Sequence, residues 1–207
     1  MKISVIMASW LGAKRPHLDK KFVRAVNSFL KQTHEDKELI IVSDGCQITN
    51  KLYEEHYKMN PIVTLFKSQK LPLYSGGVRD IGLKLAKGDI ITYLDSDDVI
   101  GKNHLKIIHE QIDDNDWVFY NDFLVLDKNF KKFQKRYVDP RWAKIGTSSI
   151  SHKNFELGTK FKGKLSWPTG YGHDFLFMMK LASMGTKFKK LKKEPQYFVC
   201  HYQGFDG

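Results

Sequence analysis

The sequence predicts an α/β fold in which a central, mostly parallel sheet is covered by helices on both faces. Short β-rich apolar runs alternate along the chain with segments whose apolar residues recur at helical spacing. Such alternation is typical of parallel strands joined by helices that cross the faces of the sheet. The composition, with 42% hydrophobic and 28% charged residues, is ordinary for a globular protein with a sizeable core.

The first βαβ unit is the clearest, with a strand at residues 2–9, a helix at 22–30 and a second strand at 38–42. Gly88 is placed where a C-cap residue would end the third helix. We find no repeat and no interdomain linker, so one domain, residues 1–207, is expected. The remaining predicted elements, in chain order, are a helix at 52–57, a strand at 63–66, a helix at 78–87, a strand at 90–94, a helix at 102–112, a strand at 116–121, a hairpin within 123–135, a helix at 175–184 and a strand at 198–200.

Acidic residues mark the carboxyl end of the fourth strand, where the apolar run stops at Asp95, Ser96, Asp97 and Asp98. Carboxylate oxygens are hard ligands for Mg²⁺ or Mn²⁺, and such ions share their coordination with substrate phosphates. Ligands of open α/β sheets bind outside the carboxyl ends of the strands. The pattern therefore indicates a metal and phosphate site. It also fits a solvated turn that opens the next helix, with Ser96 or Asp97 as the N-cap.

The formal net charge of +11 indicates a polyanionic partner, either nucleic acid, an anionic membrane or a phosphorylated substrate. Two basic clusters, residues 128–136 and 187–193, are either solvated faces or binding surfaces. No apolar run is long enough to span a bilayer, and Cys46 and Cys200 lack metal-type spacing. We therefore expect a cytoplasmic protein. Its positive charge also suits peripheral contact with the inner face of a membrane.

The order of four segments resembles the GT-A fold glycosyltransferases of family 2, which are inverting sugar transferases with nucleotide-sugar donors. The resemblance covers about the first hundred residues. It implies a nucleotide-binding α/β sandwich in which residues 1–100 form the nucleotide-sugar-binding half and 101–207 the acceptor-side half. The segments that carry it are residues 4–10, 28–33, 38–45 and 79–88, the last followed by the DxD string at 95–98.

The resemblance also implies a donor site. Asp44 matches a position that contacts the base or ribose, and Arg79 a basic position near the phosphates. From the residues alone, Asp44 could instead form an Asx turn with Gly45, and Arg79 a surface salt bridge. The full set of implied donor residues is Ser9 and Trp10 at the base pocket, Asp44, Arg79, Asp95, Ser96 and Asp97, with Asp97 as the direct metal ligand.

Toward the carboxyl end, Asp174 matches the acid that serves these enzymes as the base. It could deprotonate an acceptor hydroxyl, or it could be a helix N-cap. His201 matches a further metal ligand, although a lone histidine can also be structural. Trp167 and Tyr171 could stack on a sugar ring or pack in the core.

The resulting prediction is a Mn²⁺- or Mg²⁺-dependent inverting glycosyltransferase that acts in glycan or polysaccharide synthesis. Its expected donor is a nucleotide-diphospho-sugar, with a UDP-sugar favoured, and its expected acceptor is a glycan, a lipid-linked glycan or a protein. Nucleic acid is not expected as a partner. Two alternatives stay open: a sugar-phosphate nucleotidyltransferase, and a non-enzymatic basic module that binds nucleic acid or an anionic membrane.

Overall fold

The computed structural model describes residues 1–12, 17–127, 129–142, 144–157 and 163–200, and of Trp142 only the backbone. Five α-helices and eleven β-strands are found within these ranges. The helices are α1 (Leu18–Leu30), α2 (Gln47–His56), α3 (Gly76–Leu85), α4 (His104–Ile112) and α5 (His173–Ser183). The strands are β1 (Ile3–Ser9), β2 (Lys37–Asp44), β3 (Val63–Ser68), β4 (Ile90–Tyr93), β5 (Val99–Ile100), β6 (Trp117–Phe119), β7 (Asp122–Val125), β8 (Phe133–Arg136), β9 (Ile150–Lys153), β10 (Phe188–Lys190) and β11 (Tyr197–Val199).

The main sheet has seven strands in the order β10-β6-β9-β4-β1-β2-β3. Strands β1 to β4 are mutually parallel, with β1 paired to both β2 and β4 and β2 paired to β3. Strand β9 runs antiparallel between β4 and β6. The predicted α/β class and mostly parallel sheet are confirmed, and the antiparallel β9 is an addition that the sequence did not reveal.

Helices cover both faces of this sheet because side chains of a strand alternate between its faces. In β1, Val5 and Met7 join the core beneath α1, α2 and α4, whereas Ile6 joins the core beneath α3 and α5. The first core contains Phe22 of α1, and the second contains Phe177 of α5. The strands that are buried on both faces therefore read as continuous apolar runs in the sequence.

A second, smaller sheet has the strand order β5-β11-β7-β8. The predicted hairpin is present as the antiparallel pair β7 and β8. Strand β11, predicted one residue later, pairs with both β5 and β7. The sheet itself was not predicted, because β5 has only two residues, which is too short for a periodic signal.

Three predictions about helix ends were wrong. Helix α1 begins at Leu18, four residues before the predicted start. Helix α2 begins at Gln47, five residues before the predicted start, and the thiol of its N-cap Cys46 accepts a hydrogen bond from the Thr49 backbone N–H. Helix α3 ends at Leu85, so Gly88 is not its C-cap residue. Glycine is required at position 88 because a Cβ there would lie 2.6 Å from the Ser4 backbone nitrogen. Within the described ranges, no helix has the length and apolar character to cross a membrane.

Gly82 fixes the distance between α3 and the sheet. A Cβ at this position would lie 2.4 Å from Cγ2 of Ile6. We therefore expect Gly82→Ala to lower the free energy of unfolding by about 1–3 kcal/mol through overpacking, measured by urea denaturation. Gly77→Ala in the same helix is the matched control, because its Cβ would meet Leu71 Cδ1 at 3.4 Å and Thr169 Cγ2 at 3.9 Å, which are ordinary contacts. The control should be neutral or stabilising by up to about 1 kcal/mol, and a stable Gly82→Ala variant would contradict the close approach.

Candidate functional site

The acidic string after β4 forms a tight turn, in which the Asp98 backbone N–H donates to the Asp95 carbonyl oxygen at 3.1 Å. The turn leads into strand β5, so the interpretation of Ser96 or Asp97 as the N-cap of a following helix is wrong. Asp98 points inward and accepts a hydrogen bond of 2.8 Å from the Cys200 backbone N–H. Burial and the charges of Asp97 and Asp95 raise the pKa of Asp98 well above its usual range. Asp98 therefore belongs to the supporting structure.

The other residues of the turn line a cleft of about 280 Å³ at the strand tips. Five of the predicted donor residues meet there. They are Trp10, Arg79, Asp95, Ser96 and Asp97. The rest of the lining consists of Ala8, Leu18 and Ser75. We refer to this site as the donor cleft.

Arg79 of α3 is the central group of the site and is 4% exposed. Its Nη2 donates to Asp95 Oδ1 at 2.6 Å and to Thr147 Oγ1 at 3.2 Å, while Nη1 lies 3.6 Å from Asp174 Oδ1. Burial alone would lower the pKa of Arg79, but the two carboxylates raise it above its ordinary value. The interpretation of Arg79 as a surface salt bridge is therefore wrong, because it is a buried cation between two acids.

Asp174 is the second residue of α5, and Gly172 occupies the N-cap position, so the N-cap interpretation of Asp174 is wrong. Burial by itself would raise the pKa of Asp174. His173, whose Nε2 lies 3.0 Å from Asp174 Oδ1, and the charge of Arg79 outweigh burial and lower the pKa. Asp174 Oδ1 is buried and lies near His173 Nε2, at 3.0 Å, and Arg79 Nη1, at 3.6 Å. The site thus holds an ionised carboxylate flanked by a histidine and a buried arginine.

A second cleft, of about 500 Å³, lies on the Asp174 side of Arg79. Tyr171, 90% exposed, and Tyr74, 59% exposed, stand at its edge with ring centroids 6.3 Å apart. Trp167 is instead a core residue, because it stacks on Phe177 at 3.9 Å and is 5% exposed. Tyr74 was missed by sequence analysis, since it lies in an irregular loop before α3 and belongs to no motif. We refer to this site as the second cleft.

Asp44 and Ser9 do not line the donor cleft but lie behind it. The buried Asp44 carboxylate is bound by Lys70 and by the Leu71 backbone N–H, the latter at 2.7 Å. The same Lys70 ammonium lies 4.5 Å from the ring centroid of Trp10, so Asp44 reaches the cleft wall through Lys70. Ser9 bonds the Thr49 hydroxyl at 2.8 Å. Lys70 gave no sequence signal, because nothing in its segment marks a ligand contact.

A divalent cation would find few protein ligands here. The described residues bring no group of three or more histidine, cysteine, aspartate or glutamate side chains into metal-binding proximity. One Asp95 oxygen is already bound by Arg79, whereas Asp97 lines the cleft. This donor set fits an ion held by one or two carboxylates and completed by substrate phosphates and water. His201 lies outside the described residues, so its predicted role as a ligand stays a prediction.

The fold and site define an α/β domain with an acid-lined cleft at the strand tips, a class shared by many nucleotide-using enzymes. Residues 19–183 match the family model described as Glycosyl transferase family 2. The chain therefore belongs to glycosyltransferase family 2, and the family resemblance found in the sequence is confirmed.

Individual relatives agree with this assignment. A cholesterol galactosyltransferase of Borreliella burgdorferi is 30% identical over 226 aligned residues, covering 98% of this chain and 60% of that protein. An uncharacterised glycosyltransferase of Nostoc sp. is 33% identical, covering 63% of this chain and 39% of that protein. The chain thus spans less than two thirds of either relative.

Among solved structures, residues 1–349 of S. aureus TarS in complex with UDP-GlcNAc match with a TM-score of 0.76 and 21% identity. The match covers 99% of this chain and 60% of the TarS chain. At this identity the likeness shows the fold, which is the GT-A type α/β arrangement expected from the sequence.

The Arg79 to Asp95 ion pair should be needed for stability. We expect Arg79→Met to cost about 3 kcal/mol in unfolding free energy, because the partly buried carboxylates lose their cation. The double variant with Asp95→Asn should lose less unfolding free energy than the sum of the losses in the two single variants. Chemical denaturation of the single and double variants measures this coupling. Arg141→Met, which breaks the exposed Arg141 to Asp139 pair, is the control and should change nothing measurable. Strict additivity would contradict the coupling.

Proposed function

We propose that this chain forms the catalytic domain of a metal-dependent, inverting glycosyltransferase that moves a sugar from a UDP-sugar to a hydroxyl acceptor. The observation that carries the proposal is the position of Arg79, whose guanidinium contacts Asp95 of the donor cleft and Asp174 of the second cleft. Two chemically distinct clefts therefore meet at one buried cation, as a transfer between donor and acceptor requires. The UDP-GlcNAc bound in the TarS structure supports the choice of donor.

On the donor side, Asp97 would hold the cation with help from Asp95, and Trp10 would contact the nucleotide. A bound Mn²⁺ or Mg²⁺ would stabilise the negative charge on the departing diphosphate. Arg79 keeps Asp95 oriented through its hydrogen bond of 2.6 Å. Lys70, held between Asp44 and the Trp10 ring, fixes the position of the wall against which the base would pack.

On the acceptor side, Asp174 would take the proton from the attacking hydroxyl. Its lowered pKa keeps the carboxylate ionised at neutral pH, and Asp174 lines the second cleft, from which the hydroxyl would approach. Tyr171 and Tyr74 offer exposed aromatic faces for an apolar or sugar acceptor. Inversion requires the base and the leaving diphosphate on opposite sides of the anomeric carbon, and the two clefts on either side of Arg79 fit that requirement.

For the acceptor, we propose a compound that carries a hydroxyl group and name no narrower class. One relative is described as a cholesterol galactosyltransferase, and another, at 28% identity, as a poly(ribitol-phosphate) β-N-acetylglucosaminyltransferase of S. aureus. These descriptions name acceptors as different as a sterol and a phosphate polymer. They support glycosyl transfer to a hydroxyl group rather than either acceptor for this chain.

The test separates donor binding from transfer. In calorimetry with UDP, Asp97→Ala should abolish the Mn²⁺-dependent part of binding, a loss of about 100-fold, because a metal supplies several kcal/mol of charge stabilisation. Asp174→Asn should bind UDP and Mn²⁺ as the wild type does. Its rate of UDP release from UDP-sugars in the presence of hydroxyl acceptors should fall by about 100- to 10,000-fold.

Asp113→Asn is the matched control, because Asp113 is an acid at the end of α4 that pairs with Lys189 outside both clefts. Normal metal-dependent UDP binding by Asp97→Ala would remove Asp97 from the metal site. Full transfer by Asp174→Asn would remove Asp174 as the base. Release of pyrophosphate from a nucleoside triphosphate and a sugar phosphate would instead identify a nucleotidyltransferase.

A further inference from the structure

A cavity of about 650 Å³ lies on the outer side of α1, where α1 meets α2 and β5. None of its lining residues lines the donor cleft or the second cleft. Its floor is apolar and is formed by Val23, Leu52, Val99 and Ile100. The proposed transfer reaction has no use for this space, which we call the α1 cavity.

The walls of the α1 cavity are strongly basic. The single acid in its lining is Asp19, whereas five side chains carry positive charge: Lys20, Lys21, Arg24, Lys31 and Lys102. A cavity with an apolar floor and this excess of cations complements a ligand that combines a negative charge with apolar groups.

Lys21 contributes to this positive charge although it is only 7% exposed. The methylenes of Lys21 account for its burial, as is usual for a lysine whose charged end reaches a polar space. Its ammonium adds a positive charge to the cavity lining, where an anion would pair with it.

The surface beside the cavity carries exposed apolar side chains. Arg24 lies 5.4 Å from the ring centroid of Phe130, which follows β7 and packs against Phe198 of β11. In the same hairpin, Phe133 is 50% exposed and Leu126 is 45% exposed. Lys131 and Lys132, between them, are exposed as well. Alternating basic and apolar side chains on a surface are typical of contact with a membrane interface.

We propose that the α1 cavity binds the phosphate headgroup of an acidic phospholipid and that the exposed Leu126 and Phe133 of the β7–β8 hairpin enter the same membrane surface. Lys21 meets the phosphate, the other cations surround it, and the apolar floor receives the glycerol and the first methylenes. The apolar floor and the exposed Phe133 and Leu126 favour a lipid over a soluble anion, which would need neither. This inference is independent of the proposed transfer reaction.

Co-sedimentation with vesicles tests the proposal, using phosphatidylcholine vesicles with and without phosphatidylglycerol. The wild type should bind the acidic vesicles preferentially. Lys21→Met should weaken that binding about fivefold, the effect of one lysine near an anionic surface. Leu126→Ser combined with Phe133→Ser should weaken it further without changing the net charge. Urea denaturation of each variant confirms that it folds.

Lys84→Met is the matched control, since it removes one exposed lysine from α3 on the opposite face of the sheet. It should bind acidic vesicles nearly as the wild type does. Equal binding by Lys21→Met and the wild type would overturn the assignment of Lys21. Binding of inorganic phosphate by calorimetry that requires Lys21, with no preference for acidic vesicles, would show a soluble anion as the ligand and overturn the lipid. If Lys84→Met lost as much vesicle binding as Lys21→Met, net charge alone would explain the effect and the α1 cavity would not be the binding site.

Discussion

The buried guanidinium of Arg79 is the interaction on which the candidate site depends. It joins α3 to Asp95 at the tip of β4, the next element of the chain, and to Asp174 at the start of α5, which lies far along the sequence. A buried arginine requires carboxylates to offset its desolvation, and two partly buried carboxylates near each other require a cation. Each charged group therefore offsets the cost of burying the others. Removing any member weakens the electrostatic support of the others, so the site is better regarded as one unit than as separate residues.

The arrangement follows from how the sheet distributes its side chains. Parallel strands deliver their carboxyl ends to one edge, which brings Trp10 after β1 and Asp95 after β4 to the same cleft. The antiparallel strand β9 is paired with β4, and the short helical turn before it holds Thr147, which accepts a hydrogen bond from Arg79. Two sides of the site thus come from the parallel strands β1 and β4. The third side comes from the turn that precedes the antiparallel strand β9.

The sequence was most informative where chemistry and periodicity coincide. The apolar run that ends at Asp95 predicted both a strand and an acid-lined cleft, and the structure agrees on each. It was least informative where a residue acts through a distant neighbour. Lys70 and Tyr74 lie in irregular segments without periodicity, and their roles appear only when Asp44 and His173 are brought beside them. At Gly88 the sequence carried a signal that was assigned the wrong cause. A helix-ending glycine was expected, but glycine is needed there because the backbone of Ser4 lies close by.

The positive charge of the chain is distributed differently from what its sequence suggests. In the carboxyl-terminal basic cluster, Lys187 pairs with Asp114 and Lys189 with Asp113, and in the hairpin cluster Lys135 pairs with Glu194. These lysines are partly neutralised by neighbours that lie far away in the sequence. The α1 cavity, which no run of lysines marks, instead gathers five cations around an apolar floor with a single acid. A search for a polyanionic partner should therefore begin at α1, because the lining of this cavity holds more cations than acids.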